Sequence, residues 1–113
     1  MQYELRLREQ RVLDRQTRQF QAARGAVPPR GGWLRRVRKA LGFTAADMAK
    51  DLKVSPSMVF QLERSEWNET ITLRRLKDVA AAMECTVVYC VVPRRGKFED
   101  QLIEYAKIVA RSR

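Results

Sequence analysis

Apolar positions recur at two different spacings along the chain, and the change from one to the other divides it. Residues 2–24 contain no Gly or Pro and are dense in Arg, Gln, Leu and Ala, which predicts a helix from propensity. Its apolar residues Tyr3, Leu7, Val12, Leu13 and Phe20 make only a broken stripe, so this helix needs another element to dock on. Residues 25–32, GAVPPRGG, cannot continue a helix and read as a linker. Helical spacing returns over residues 33–41, with Trp33, Leu34, Val37 and Leu41 on one side, Arg35, Arg36 and Lys39 on the other, and Gly42 as the stop.

The next three helices are announced by their caps. Thr44 precedes residues 45–52 with Asp47 as the acidic third residue of a capping box, and Met48, Ala49 and Leu52 face inward. Lys53 and Val54 form a turn. Ser55 followed by Pro56 is an N-cap before the residue best suited to a first helical position, so a helix runs from there to about residue 64. Val59 and Leu62 are its buried side, while Pro56, Ser57, Phe60, Gln61 and Arg64 are exposed. Residues 65–71 read as a polar loop carrying Trp67 and Asn68. Thr72 then caps a helix to about residue 84, whose Leu73, Leu76, Val79, Ala80 and Met83 close the core. A helix, a short turn and a second helix over residues 43–65 form the unit by which small proteins place one helix in the DNA major groove.

Beyond residue 84 the period changes. Residues 86–92, TVVYCVV, are β-branched and apolar on both faces and stop at Pro93, the pattern of a buried strand. One strand cannot satisfy its own backbone groups. With no second strand evident, Val87, Val88, Tyr89, Cys90 and Val91 are expected to pair with the same segment of a second molecule in a homodimer, or else with an irregular segment of the same chain. Residues 97–111 predict a final amphipathic helix with Phe98, Leu102, Tyr105, Ile108 and Val109 as its apolar side.

Charge adds a partner class. The chain of 113 residues carries +10 with a pI near 10.4, and residues 1–40 hold 11 basic and 3 acidic residues, a local +8. This favours a polyanion. The arginines of the first helix read either as a solvated face or as a phosphate-contacting arm. No apolar run approaches a membrane span and no signal-peptide core is present, so a cytoplasmic protein without membrane association is expected. Cys85 and Cys90 fall on opposite faces of the predicted strand and read as buried free thiols. The chain has no histidine, which removes imidazole acid–base chemistry and Cys/His zinc sites; no enzyme activity, metal or cofactor is expected.

The segment ALGFTAADMAKDLKVSPSMVFQLERSE resembles the XRE-type helix-turn-helix family, to which phage repressors belong. Ala49 stands in the tight helix-packing position, followed by Leu52, Val54, the Ser55 cap, Val59, Leu62 and Glu63 at the family's intervals. The resemblance implies a mainly α fold: a five-helix repressor-like domain over residues 33–84, an N-terminal helical arm and linker over residues 1–32, and a strand–helix extension over residues 85–113 for dimerisation or partner binding. It implies double-stranded DNA as partner, with base edges met by Pro56, Ser57, Phe60 and Gln61. Gln61 can bond adenine at two positions; Phe60 meets a thymine methyl or sits at the core edge. Phosphate contacts would come from Thr44, Lys53, Ser55, Arg64, Trp67 and Asn68. Pro56 and Ala45 depart from the polar residues usual at their positions. Arg38 and Glu63 occupy positions that form an ion pair in relatives.

The longer motifs PPRGGWLRRVRKALGF and ERSEWNETITLRRLKDVAAAMECTVVYCVVP, with the closing helix, are similar to the family called mobile mystery protein A. That likeness implies a bacterial mobile-element gene beside one for a Fic-domain protein, in a toxin–antitoxin-like arrangement. The expected function is an autorepressor of that operon; the alternative is an antitoxin that binds the Fic partner directly. Ser65 and Glu69 have the spacing of a Fic-inhibitory helix, but Thr70 follows where Gly or Asn is usual.

Overall fold

The computed structural model describes residues 3–111, with the side chains of residue 3, residues 102–106 and residue 108 left aside. Among the described residues there are six helices: α1 (Tyr3–Gln21), α2 (Trp33–Leu41), α3 (Ala45–Leu52), α4 (Pro56–Trp67), α5 (Leu73–Ala82) and α6 (Phe98–Arg111). They fall into two units. Val27–Val88 is one, and the residues up to Ala26 together with those from Tyr89 onward are the other.

The first unit contains four helices, not five, because the chain leaves helical geometry at Glu84, whose φ is 57°, and stays irregular through the rest of the unit. Its core is Leu34, Ala45, Met48, Ala49, Val59, Leu62, Val79 and Met83. Small Ala45 and Ala49 let α3 lie close against α4 and α5, while Met48, Val59 and Val79 are the largest side chains fully buried. Leu52, Val54 and Leu76 pack around this centre. Three positions read as inward turn outward instead: Leu73 is 42% exposed, at the first turn of α5, Trp33 is 51% exposed, at the start of α2, and Leu41 is 54% exposed, at the end of α2. Side chains at a helix's first turn have no preceding turn to lean on.

Three caps fix where these helices begin. Thr44 accepts from Asp47 N at 3.0 Å while its own N–H donates to Asp47 Oδ2 at 2.9 Å. Ser55 accepts from Met58 N and Thr72 from Arg75 N. The start of α2 is different. Gly32 has φ 97° and offers no side-chain cap, and the two leading amides of α2 donate instead to Glu66 of α4, Leu34 N at 2.8 Å and Trp33 N at 3.1 Å. A Cβ on residue 32 would stand 2.6 Å from Glu66 Oε1, so glycine is needed there for room as well as for φ.

No strand is present among the described residues. Residues 85–92 form no ladder, and the expected strand of Val87, Val88, Tyr89, Cys90 and Val91 is corrected to an irregular segment. The segment has the β-branched composition of a strand, but a strand exists only where another backbone accepts its hydrogen bonds, and among the described residues none lies alongside. The two cysteines are free, yet Cys85 is exposed and Cys90 half-buried, a second correction that follows from the first.

The other unit is built from α1 and α6. α1 packs along α6, and Asp14 in the middle of α1 is the N-terminal cap of α6: its carboxylate accepts from Phe98 N at 2.7 Å and Glu99 N at 3.1 Å. Gln21 and Arg11 reinforce the join through Asp14 and Glu99, and Arg24 donates to the carbonyls of Pro93 and Gly96. The separate terminal arm and terminal extension expected from sequence are therefore one folded body. The apolar positions Leu102, Tyr105 and Ile108 lie outside the residues whose side chains are described.

Burial works against the charged form of Asp14, but the N–H groups of Phe98 and Glu99, with Gln21 and Lys97, outweigh it and hold its carboxyl below the usual value. A carboxyl whose pKa is lowered by folding stabilises the fold above its unfolded pKa of about 3.9, and the contribution disappears as pH falls through the folded value. Hydrogen exchange at the first-turn amides of α6 should therefore accelerate below about pH 4 relative to those of α4, and Asp14→Ala should already show the fast exchange at neutral pH. Equal acid sensitivity in wild type and variant contradicts this role.

Candidate nucleic-acid interface

α3 and α4 meet across a turn of three residues. Lys53 ends α3 in the left-handed conformation, φ 58°, an unusual state for a side-chain-bearing residue that costs roughly 1–2 kcal/mol. It lets Val54 return its N–H to Ala49 O at 3.0 Å and its side chain to the core. Ser55 then opens α4 with Pro56 at the first position.

The inner face of α4 carries Val59, Leu62 and Glu63, all buried. Its outer face carries Pro56, Ser57, Phe60, Gln61 and Arg64, all exposed, one continuous stripe at helical spacing. Phe60 is 43% exposed, with Arg38 over its ring at 5.6 Å. It is a surface residue leaning on a buried cation rather than part of the core. The Gln61 side chain makes no hydrogen bond among the described residues, whereas the Ser57 hydroxyl shares one with Ser55 Oγ at 3.1 Å.

The helix starts have less to offer a phosphate than their cap residues suggest. The oxygens of Thr44 and Ser55 already accept backbone N–H groups, so an anion would meet only the remaining first-turn amides. Because proline has no N–H, Pro56 leaves Ser57 as the one such donor ahead of Met58 in α4. Asp47, whose carboxyl is held below its ordinary value first by the Thr44 amide and then by its hydroxyl, adds negative charge at the start of α3. Lys53, Arg64, Trp67 and Asn68 are all exposed.

α4 is longer than its sequence suggests. It runs to Trp67, with Asn68 as C-cap donating to Arg64 O at 2.8 Å, so Trp67 stands on the last turn of α4 and not in a loop. The extra turn is anchored by Glu66, whose role at the start of α2 a local pattern could not reveal because its partners lie 32 and 33 residues earlier. Ser65 is helical and donates to Leu62 O, while Glu69 lies past the C-cap at φ 61°, so these two residues do not share one helix.

One interaction holds the stripe in place. Arg38 of α2 donates from Nε to Glu63 Oε2 at 2.5 Å and from Nη2 to Oε1 at 3.1 Å, with the two residues 8% and 4% exposed. Its third contact, Nη1 to Phe43 O at 3.2 Å, ties in the segment leading to α3. The hydrogen bonds that Arg38 donates to Glu63 raise its pKa against the opposing effect of burial. Arg38 is committed inward and is not available as an independent DNA ligand.

The family model described as helix-turn-helix matches residues 34–90, just over half the chain. Neither the curated proteins nor the solved structures contain a match. No helix among the described residues is long and apolar enough to cross a membrane.

Truncating either member of a buried pair strands the other charge, at a cost of roughly 3–5 kcal/mol. Arg38→Ala and Glu63→Ala should each lower denaturant stability by about that much, and the double variant should lose less than the two single losses added together. An unchanged denaturation midpoint in Arg38→Ala would show that the pair does not anchor α4.

Proposed function

Because the chain belongs to the helix-turn-helix family, we propose that it is a sequence-specific DNA-binding transcriptional regulator that represses its own operon, with α4 as the reading helix. The observation that carries this reading is the exposed stripe of Ser57, Phe60, Gln61 and Arg64 on a helix whose opposite face is fixed by core packing and by the Arg38–Glu63 pair. Gln61 is the principal base reader: its amide donates to N7 and accepts from the N6 amino group of adenine. Phe60 and Pro56 offer apolar contact to thymine methyls, and Ser57, shared with Ser55, discriminates less. Lys53, Arg64, Trp67, Asn68 and the first-turn amides beyond Thr44 and Ser55 serve as phosphate contacts that set register.

A reading face this small specifies few base pairs. Two copies on half-sites about one DNA turn apart, roughly 34 Å, would double the information, and a homodimer is the state in which we place the protein on its operator. The sequence likeness to mobile mystery protein A supports an operon shared with a Fic-domain protein, which simultaneous expression and co-purification would test.

Footprinting on the region upstream of its own gene is the direct experiment. Gln61→Ala should lose about 1–3 kcal/mol of preference for the operator over unrelated DNA while retaining non-specific affinity. A protein that binds its upstream region no better than unrelated duplex at any salt concentration is not an autorepressor. Sedimentation of the complex should give two chains per operator, and a single chain would remove the dimer.

A further inference from the structure

Beside the reading stripe lies a groove of about 840 Å³ between α2 and α4, lined by six basic residues and one acid. The acid is Glu63, already consumed by Arg38. Five uncompensated cations remain: Arg30, Arg35, Arg36, Lys39 and Arg64, each exposed and none in an ion pair among the described residues. The two walls differ in chemistry. Arg35, Arg36 and Lys39 follow one edge of α2, whereas Phe60, Arg64 and Trp67 follow one edge of α4 at spacings of four and three residues.

The connecting turn belongs to the same wall. Gly32 N donates to Pro29 O at 2.8 Å, which folds the Pro/Gly segment back and carries Arg30 to the groove. Gly31, at φ 86°, leaves room for Arg35, whose Nη1 would lie 3.1 Å from a Cβ at that position. Glycine here keeps the cationic wall open.

Geometry gives this groove an occupant. The DNA major groove is about 12 Å wide and a helix with its side chains about 10–12 Å across, so an inserted helix brings its flanks against the bordering backbones. Phe60 and Arg64 belong to both the outer stripe of α4 and the wall of the groove, so the flank facing α2 is the one beside the reading face.

Resting on the reading of α4 given above, we propose that this groove seats the phosphodiester backbone of one strand of duplex DNA. Arg30, Arg35, Arg36 and Lys39 are its phosphate ligands, and the face of Trp67 packs against the sugars. The footprint of the protein then includes a strand held by α2 and the preceding turn, not by α4 alone. Each phosphate neutralised contributes about 0.9 to the slope of log affinity against log salt.

The test compares the full chain with Arg35→Gln/Arg36→Gln and with Arg94→Gln/Arg95→Gln, which removes equal charge from exposed residues of the other unit. Each is titrated with the upstream duplex and with an unrelated duplex of equal length. The first variant should lower the salt slope by about 1.8, so that the affinity change between about 50 and 200 mM salt shrinks by roughly tenfold. The effect should be equal on both duplexes, leaving their affinity ratio unchanged, and Arg35→Lys/Arg36→Lys should restore most of the slope. An unchanged slope, an equal effect from the Arg94/Arg95 variant, or a loss confined to one duplex overturns the proposal. If the wild type binds both duplexes alike, specific readout fails while the slope on the unrelated duplex still decides the groove. If it binds neither at low salt, both readings fall.

Discussion

Arg38 and Glu63 settle how α4 is oriented. The outer stripe of α4 is exposed, so its orientation is fixed chiefly from the other side. Apolar packing by Val59 and Leu62 holds it in the core, but hydrophobic burial is non-directional and would tolerate a small roll about the helix axis. A bidentate guanidinium–carboxylate pair does not, because two parallel hydrogen bonds define a plane. A buried pair of this kind adds little net stability compared with apolar residues of the same volume; what it adds is direction. Glu66, one turn further on, does the same for the far end of α4 by holding the first amides of α2.

The two carboxylates also determine what remains on the surface. Glu63 is the one acid lining the α2–α4 groove and is neutralised from within, so the arginines around it present an uninterrupted positive wall. Arg38 is withdrawn from that wall yet props the Phe60 ring at its edge. Packing and electrostatics are thus set by the same few atoms, and a change at residue 63 would alter the fold and the surface together.

Local signals in the sequence were legible wherever the physics is local. Thr44, Ser55 and Thr72 announce three helix starts because a cap acts within three residues, and Ala49, Val59 and Leu62 declare the core through spacing alone. Features set by distant partners were not legible. Glu66 looks like one charge in a polar loop until α2 is placed beside it. Asp14 looks like an ordinary acid in a basic helix until Phe98 is found on top of it. The segment TVVYCVV has the composition of a strand, but composition states a preference and pairing requires a neighbour. Trp33 and Leu73 have apolar side chains at helical spacing, yet both stand in first turns where nothing lies above to cover them.

The cap supplied by Asp14 has a consequence for how the chain is made. Phe98 and Glu99 lie 84 and 85 residues further along than the carboxylate that receives them, whereas every helix of the Val27–Val88 unit finds its partners within that stretch. On the ribosome the central unit can close as soon as its own residues emerge, since a domain folds as a unit during synthesis. α1, synthesised ahead of that unit, completes its body only when α6 arrives. The order of synthesis and the order of folding are therefore reversed for α1 and the central unit.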